Sequence, residues 1–428
     1  MVQVYSPKDS ARLRYTCNVI FRDFFSLKYS LLSHISEVDD DKPLVIYSDG
    51  ILPNGIAIPN EGLLFENGIV AREILWFDNG AFAEIFIEKR CKIDLFSAIF
   101  YLLSRYEEYL PHTKDEYGRY GHRNSILFKK GLLKIPIVNV WLCAFAKKLN
   151  EIFPALEIKL PTYTWLPTYD IDMFFAYKHK GLLRNVGGLL KKNLIAKLKV
   201  LAGKEKDPFD VTKALVSLHN NLSLPGNIFF LMAQKLSVYD RNNPVSHHCV
   251  KQAIQDFQHS LRPGLHPSWS SFFDPDLINS EKKILEQITG ITITDSRQHY
   301  IKMELPHTYR HLIKIGITKD FSMGYGSVNG FRAGFANPYQ WFDIKMNQST
   351  DLTIVPFSFM DANAFYEQKQ MVEESFEELN NYAAICKKYH GSLCTIFHNS
   401  FLGSAKEFNG WWEAYSSFAK QTFQSADA

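Results

Sequence analysis

Short apolar runs alternate with amphipathic stretches along the chain, and together they predict a mixture of strands and helices. Near the start, Phe96, Ile99 and Leu103 recur at helical spacing, and Asp94 stands where it can cap that helix. Pro154 ends a second helical pattern. The elements predicted here are strands at 42–47 and 82–87 and helices at 94–109 and 138–152. This pattern indicates an α+β unit.

From residue 168 onward, strand patterns and helix patterns alternate regularly. The predicted strands are 168–172, 227–232, a short one before His266, 290–294, 352–357 and 393–397, and the predicted helices are 210–220, 250–260, 281–287, 308–314 and 371–390. Such alternation is typical of a parallel α/β barrel or a doubly wound sheet. Two prolines lie in 156–167, so we predict two domains, 1–155 and 156–428.

Composition narrows the class of protein. A net charge of +3 over 428 residues is too small to make nucleic acid the general partner. The six cysteines include no Cys-x-x-Cys pair, which favours buried free thiols over disulfides or a zinc knuckle. The charged N-terminus does not resemble a signal peptide, and no apolar run reaches the ~18 residues of a membrane span. We therefore expect a cytoplasmic protein.

One strongly basic segment interrupts the strand–helix pattern. Residues 178–206 contain nine lysines and arginines against a single acidic residue, Glu205, and leucines are interleaved with them. This composition fits a basic amphipathic helix that lies on an anionic membrane surface. It also fits an ordinary surface helix with a solvated basic face. A peripheral membrane contact through this segment is one prediction.

The most informative pair of residues is Asp170 and Asp172, at the end of an apolar run. Residues i and i+2 of an extended segment point to the same side, so the two carboxylates lie together. Like charges so close repel each other unless a cation or a shared proton lies between them. The pair therefore suggests a metal ligand and a general base side by side.

Three histidines follow other predicted strands: His266, His299 and His398. Carboxylate and imidazole together are common ligands of zinc and similar divalent ions. A site with three protein ligands keeps one position for water and lowers the pKa of that water to about 7. A spare aspartate can then accept a proton, and a histidine can return one to the leaving group.

Five motifs in this chain resemble those of the polysaccharide deacetylase (NodB-homology) family, and they occur in the same order. They are Thr-Tyr-Asp-Ile-Asp (168–172), Gly-Leu-His-Pro-Ser (264–268), Arg-Gln-His-Tyr (297–300), Gly-Phe-Arg-Ala-Gly (330–334) and Ile-Phe-His-Asn (396–399). The segment 96–109 resembles the extra N-terminal domain of the Bacteroidetes-type branch. The resemblance implies a distorted (β/α) barrel with a smaller N-terminal α+β domain. It also implies metal-dependent removal of acetyl groups from N- or O-acetylated sugars, with zinc as the first choice of metal.

The resemblance also assigns a metal site. Asp170 matches the catalytic base and Asp172 the metal-binding carboxylate, although Ile171 separates residues that are adjacent in the family, so an exchange of their roles stays open. His266 matches the first metal histidine. Where the family has a second histidine four residues later, this chain has Ser270. We therefore predict that His299 supplies the missing ligand.

The remaining site residues surround this predicted metal. Arg297 matches the arginine that orients the base, and His398 matches the late histidine that acts as general acid. Arg332 is predicted to bind an acetyl oxygen or an acidic sugar, or else to stabilise its loop. Asp361 follows a predicted strand and is assigned to the substrate site, while Asp240 has either a similar place or a role in a turn.

Two other classes of function stay open at this point. In the first, Asp170 and Asp172 are the Asp-x-Asp pair of a nucleotide-sugar transferase and hold a divalent ion on a diphosphate. That hypothesis leaves His266 and His398 without a role. In the second, the protein binds sugars or acts as a scaffold without catalysis, and Ser270 marks a decayed metal site. The leading prediction is a hydrolase that deacetylates a carbohydrate of surface polysaccharide metabolism.

Overall fold

The structure is a computed structural model that describes residues 1–48, 55–72, 84–180 and 194–424. Two mostly parallel sheets make up its framework. The first sheet has six strands in the order β2-β1-β3-β4-β6-β5, all parallel except the antiparallel pair β5–β6. Its strands are β1 Val2–Tyr5, β2 Tyr29–Leu32, β3 Leu44–Tyr47, β4 Gly55–Ile58, β5 Phe86–Ile87 and β6 Arg90–Cys91.

Helices pack beside this first sheet. They are α1 Ala11–Cys17, α2 Leu95–Leu103, α3 Ile126–Lys129 and α4 Ile137–Ile152, and a π-helical turn, Asn18–Phe24, continues α1. Asp94 caps α2 as predicted, because its Oδ1 accepts a hydrogen bond from the backbone N–H of Ser97 at 2.9 Å. Its other oxygen accepts from the hydroxyl of Tyr47 at 3.0 Å, so the cap also joins the helix to β3.

The second sheet has nine strands in the order β12-β13-β11-β10-β9-β8-β7-β15-β14, and only β12–β13 is antiparallel. Its strands are β7 Thr164–Ile171, β8 Asn227–Leu231, β9 Arg262–His266, β10 Asp295–Ser296, β11 Lys319–Asp320, β12 Tyr339–Asp343, β13 Gln348–Ile354, β14 Phe359–Met360 and β15 Ser392–His398. Among the described residues no pairing joins β12 to β14, so closure into a barrel stays a prediction.

Except between β11 and β14, the helices of the second part alternate with these strands, as the sequence predicts for parallel connections. They are α5 Leu194–Leu201, α6 Thr212–Leu222, α7 His248–Gln258, α8 Pro275–Thr289, α9 His307–Lys314, α10 Val372–Lys388 and α11 Trp411–Gln424. The central strands are buried almost throughout, which explains their continuous apolar runs.

Aromatic side chains connect the two sheets. Phe342 of β12 lies between Tyr15 of α1 and Phe100 of α2, with ring centroids 5.1 Å apart in both cases. These side chains belong to a single buried cluster that extends through both parts of the described chain. The predicted boundary near residue 155 therefore separates the two sheets along the chain but crosses a shared apolar core.

Three predicted elements differ from those in the structure. Residues 290–294, predicted as a strand, form no strand and precede the short β10 Asp295–Ser296. The helix predicted at 94–109 ends at Leu103, because Arg105 adopts a left-handed backbone conformation (φ 55°) and its guanidinium bonds Glu107 and Glu108. A 3-10 turn, Tyr106–Tyr109, follows it. The strand predicted at 82–87 is present at Phe86–Ile87, while residues 82 and 83 lie outside the described residues.

The basic segment is described only in part, since residues 181–193 lie outside the described residues. Within it, α5 exposes Leu194, Ile195, Leu198 and Leu201 to solvent. Contact with a membrane surface stays a prediction. Among the described helices, none combines the length and the apolar character needed to cross a bilayer.

Candidate functional site

Parallel strands bring the predicted site residues to one edge of the second sheet. Strands β15, β7, β8, β9 and β10 are neighbours, and each runs in the same direction. His398 is the register partner of Asp170 on β7, and His266 is the last residue of β9. The carboxyl ends of such strands are where α/β folds build their sites.

Asp172, His266 and His299 come together at this edge. Their potential ligand atoms all lie within 4.8 Å of one another. Asp172 Oδ1 is 3.3 Å from His266 Nε2 and 3.6 Å from His299 Nε2. That carboxylate oxygen is itself buried and accepts no hydrogen bond. A buried acceptor without a donor is costly, and a cation between the three atoms would satisfy it.

Hydrogen bonds behind the two histidines fix their tautomers. His266 Nδ1 lies 2.6 Å from the carbonyl oxygen of Arg297, and His299 Nδ1 lies 3.2 Å from Asp240 Oδ1. Both partners are acceptors, so each Nδ1 carries the proton. In the neutral form of each ring, Nε2 then presents a lone pair towards Asp172. A carboxylate or carbonyl that orients a histidine in this way is typical of zinc sites. The donor set therefore fits the predicted metal.

The electrostatics of this group favour positive charge. Burial alone would raise the pKa of Asp172, but His299, then His266 and His398, outweigh it and hold that pKa well below its usual value. Burial likewise lowers the pKa of His299, but Asp172 and Asp240 reverse this and raise it to about 9. Without a bound cation, His299 therefore takes up a proton in its place.

Asp170 lies beside this group and is held by a different partner. Arg297 Nη1 donates to Asp170 Oδ1 at 2.8 Å, and its Nε donates to the carbonyl oxygen of Phe321 at 3.1 Å. Arg297 is wholly buried, and its guanidinium lies 4.5 Å from the ring centroid of Phe229. Asp170 Oδ2 is 3.8 Å from His266 Nε2. The arginine fixes one oxygen of the carboxylate and leaves the other directed at the site.

His398 lies on the other side of Asp172, with its Nε2 4.0 Å from Asp172 Oδ2. Its Nδ1 donates to Asp361 Oδ1 at 2.6 Å, and its backbone N–H donates to Asp361 Oδ2 at 2.6 Å. Burial lowers the pKa of His398, but Asp361, Asp172 and Asp170 outweigh it and raise that pKa to about 10. The imidazole is therefore protonated at neutral pH and can donate a proton from Nε2.

Two residues predicted to bind substrate, Asp361 and Arg332, do not line the cavity. Asp361 is fully buried behind His398 and does not line the cavity, so it positions the histidine. Arg332 is also buried, and its Nε and Nη2 donate to the two oxygens of Glu108 at 2.8 and 2.6 Å. Its third nitrogen donates to the carbonyl oxygen of Gly324. Arg332 thus joins its glycine-rich loop to the N-terminal part of the chain.

The site opens into a cavity of about 380 Å³. Asp170, Asp172, His266, His299 and His398 line it. Two further walls were not foreseen in the sequence. One is formed by residues that follow β14, among them Asn363 and Tyr366. The other comes from the N-terminal part of the chain and includes Tyr117 and Arg119.

The N-terminal wall is fixed to the second sheet by backbone contacts. Lys302 Nζ donates to the carbonyl oxygen of Tyr117 at 2.6 Å, and Arg119 Nη1 donates to that of Tyr300 at 2.6 Å. The ring of Tyr117 lies against those of Tyr300, Trp269 and Tyr239, with centroids 5.6, 6.2 and 6.3 Å away. An aromatic group therefore borders the cavity mouth and contains residues from both parts of the chain.

Asp240 is the other residue whose place sequence analysis left open. Its carboxylate accepts hydrogen bonds from the backbone of Trp269 and Ser270, from Ser270 Oγ at 2.8 Å, and from His299 Nδ1. Burial raises the pKa of Asp240, but His299 and the bonds from Trp269 and Ser270 outweigh it and lower that pKa to about 2. Asp240 is thus an ionised support of a predicted metal ligand.

Comparisons with known proteins give a limited result. A family model matches residues 2–154, and its description is a family of unknown function, DUF7033. No curated protein matches the chain. The fold is similar to several solved structures at low sequence identity, and these include proteins described as polysaccharide deacetylases.

Three of these structures illustrate the likeness. One, provisionally described as a polysaccharide deacetylase from Mycobacterium smegmatis, is 14% identical with a TM-score of 0.43, and the match covers 61% of this chain and 84% of that one. A Puue allantoinase is 10% identical with a TM-score of 0.38, covering 60% and 83%. A polysaccharide deacetylase from Bacillus cereus is 8% identical with a TM-score of 0.32, covering 60% and 87%. With TM-scores below 0.5, these likenesses decide nothing about the chemistry of the site.

Proposed function

We propose that this protein is a metal-dependent hydrolase that removes acetyl groups from an N- or O-acetylated carbohydrate. One observation carries the proposal. The potential ligand atoms of Asp172, His266 and His299 lie within 4.8 Å of one another, while a separate carboxylate, Asp170, and the imidazole of His398 lie beside them. A cation site flanked by a base and an acid is what hydrolysis of an amide or ester requires.

The metal would be held by Asp172, His266 and His299, and zinc suits these oxygen and imidazole ligands. When bound, it supplies an acidified water and polarises the acetyl carbonyl. Arg297 and Asp240 orient the reacting side chains and do not themselves take part in the reaction. Arg297 keeps Asp170 turned towards the site at 2.8 Å, and Asp240 keeps the ring of His299 in the tautomer that offers Nε2.

Asp170 would accept the proton of the attacking water, since it is not a predicted ligand and its Oδ2 lies 3.8 Å from His266 Nε2, beside the predicted metal. His398 would donate its Nε2 proton to the departing nitrogen or oxygen of the sugar. Asp361, bonded to Nδ1 at 2.6 Å, stabilises the imidazolium until that transfer. The products are acetate and the free amine or alcohol, so protons and oxygen atoms balance.

The walls of the cavity support a sugar as the substrate. Tyr117 and Tyr300 border it with exposed ring surface, and Tyr239 stacks on Trp269 nearby at 4.1 Å. Flat rings with polar edges suit the mixed apolar and hydroxylated faces of carbohydrates.

The test is release of acetate from a panel of N- and O-acetylated oligosaccharides by the full-length protein. Chelator should abolish activity, and zinc or cobalt should restore it.

Asp170→Asn should lower kcat by about 10²- to 10⁴-fold, the usual contribution of a general base. Asp256→Asn, a partly exposed position of α7 that does not line the cavity, is the matched control. Full activity of Asp170→Asn would refute the assignment, and absence of both metal uptake and acetate release would favour a non-catalytic sugar-binding protein.

A further inference from the structure

A second group of metal-binding side chains lies away from the cavity. His179, His247 and Cys249 offer ligand atoms that all lie within 4.8 Å of one another. The rings of His179 and His247 have centroids 4.5 Å apart. None of the three lines the cavity or bonds a residue of the proposed active site. The group therefore needs an explanation of its own.

We propose that His179, His247 and Cys249 form a second, structural metal site that binds a borderline-soft divalent cation such as Zn²⁺. Imidazole and thiolate ligands select zinc over magnesium or calcium, which prefer oxygen. All three side chains are half-buried, so water is partly excluded while an ion can still enter. His248 Nε2 lies 3.2 Å from Cys249 Sγ and is a candidate for the fourth ligand of a tetrahedral site.

The ligands come from two segments far apart in the sequence. His247 caps α7, and His248 and Cys249 begin it, while His179 lies in the loop after β7. The side-chain amide of Asn243 holds that loop by donating to the carbonyl oxygens of Phe175 and Lys178, each at 3.2 Å. The chain is therefore fixed up to the residue just before the ligand.

His179 itself is held in an uncommon conformation. Its φ of 58° lies in the left-handed region, which costs free energy for a residue other than glycine. Its ring lies between those of Phe175 and His247, with centroids 4.8 and 4.5 Å away. Packing thus holds the imidazole at the cluster. Coordination of an ion by His179 would further stabilise that backbone conformation.

Binding would change one existing contact. His247 Nδ1 accepts a hydrogen bond from the backbone N–H of Cys249 at 3.2 Å and so caps α7. In that state Nε2 carries the proton. Coordination through either ring nitrogen would remove the cap, because Nδ1 would then hold the proton or the metal. The free energy lost with this one hydrogen bond is small compared with that gained when several ligands coordinate the ion.

The consequence of the site would be a connection between the loop after β7 and helix α7. Asp172, a predicted ligand of the active site, begins that loop, only seven residues before His179. A metal at the second site would therefore anchor the segment that carries Asp172. The two sites share no ligand, so the proposal does not depend on the deacetylase activity.

Cobalt titration of the metal-free, full-length protein tests the proposal. Thiolate-to-cobalt charge transfer absorbs in the near ultraviolet, and only the second site has a cysteine. The wild type should show this absorption, and so should His266→Ala, which removes a ligand of the first site. Cys249→Ser should abolish it and lower the bound cobalt by one equivalent. Cys143→Ser, the other half-buried cysteine, should leave it unchanged.

Two further measurements make the result decisive. His179→Ala should weaken cobalt binding at this site at least about tenfold, since a direct ligand matters no less than an outer-shell partner. Saturating zinc should slow alkylation of Cys249 at least about tenfold, because the bound thiolate is no longer free to react. A wild type without thiolate absorption at saturating cobalt overturns the proposal. The proposal would also be overturned if Cys249→Ser and Cys143→Ser changed the thiolate absorption equally. Unchanged cobalt affinity of His179→Ala would overturn it as well.

Discussion

Asp240 holds His299 in place with one carboxylate oxygen and is held by Ser270 through the other. His299 Nδ1 lies 3.2 Å from Oδ1, and Ser270 Oγ donates to Oδ2 at 2.8 Å. Ser270 stands where the resembling family has its second histidine. In this chain the serine bonds the carboxylate that orients His299, which follows the next strand.

Asp240→Asn should weaken zinc binding at the first site by about 10- to 100-fold, the usual cost of losing an outer-shell partner. The amide cannot match the charge of the carboxylate, and it can present a donor to a nitrogen that already carries a proton. Calorimetric zinc titration of the metal-free protein measures the change. Asp256→Asn is the control, and equal affinities of Asp240→Asn and the wild type would show that His299 is not a ligand.

Asp361→Asn should move the alkaline limb of the pH–activity profile to lower pH. Burial lowers the pKa of His398, but Asp361 is the strongest of the groups that raise it to about 10. Removal of the Asp361 charge destabilises the imidazolium, so His398 loses its proton at a lower pH. A general acid must be protonated, and activity is then lost earlier as pH rises.

The profile of kcat against pH with an acetylated oligosaccharide measures this shift. Asp351→Asn, an exposed position on β13, should leave the profile unchanged. A uniform loss of activity with an unmoved alkaline limb would mean that Asp361 is structural and does not tune His398.

Glu108→Gln should destabilise the protein by about 3–5 kcal/mol, the usual cost of breaking a buried ion pair from one side. The change leaves Arg332 and Arg105 buried without the carboxylate that both contact. Burial raises the pKa of Glu108, but Arg332 and Arg105 outweigh it and lower that pKa to about 2, below its ordinary 4.5.

The sign of the pH dependence follows from that lowered pKa. The ionised carboxylate stabilises the folded state fully above about pH 4.5, and this contribution is lost as pH falls towards 2. Urea unfolding at pH 7 and at pH 3 should therefore show a smaller difference between wild type and Glu108→Gln at the lower pH. Glu377→Gln, on the exposed face of α10, is the control. If wild type and Glu108→Gln differed in free energy of unfolding by the same amount at both pH values, the ion-pair explanation would be contradicted.

Tyr117→Ala should raise KM for an acetylated oligosaccharide by about tenfold, because a ring that packs on a distant sugar contributes binding shared by ground and transition state. The kcat for a small acetyl ester, which does not reach Tyr117, should stay unchanged. The bond from Lys302 goes to the backbone carbonyl, so the substitution leaves it intact. Tyr117→Phe keeps the ring and should keep KM. An unchanged KM for Tyr117→Ala would remove the N-terminal wall from substrate binding.

Local patterns predicted most of the longer helices and the buried central strands, because periodicity and caps act over a few residues, but not strands such as β1, β2, β4 and β12. Strand ends together with the family resemblance led to the prediction that Asp172, His266 and His299 share one site, and their potential ligand atoms lie within 4.8 Å of one another. Sequence analysis placed Asp361 against the substrate and left Arg332 open between substrate binding and loop stabilisation, because their partners, His398 and Glu108, lie 37 and 224 residues away. The same limit applies to Asp240, which is 59 residues from His299.

The place of Phe342 between Tyr15 and Phe100 has a consequence for any shortened chain. A polypeptide that starts at residue 156 would present that ring to water and would lack Glu108, the ion-pair partner of Arg332. Contacts with residues 1–155 thus contribute to the stability of residues 156–428. The activity of a truncated chain would therefore reflect its lost stability and would not show which part of the chain carries out the reaction.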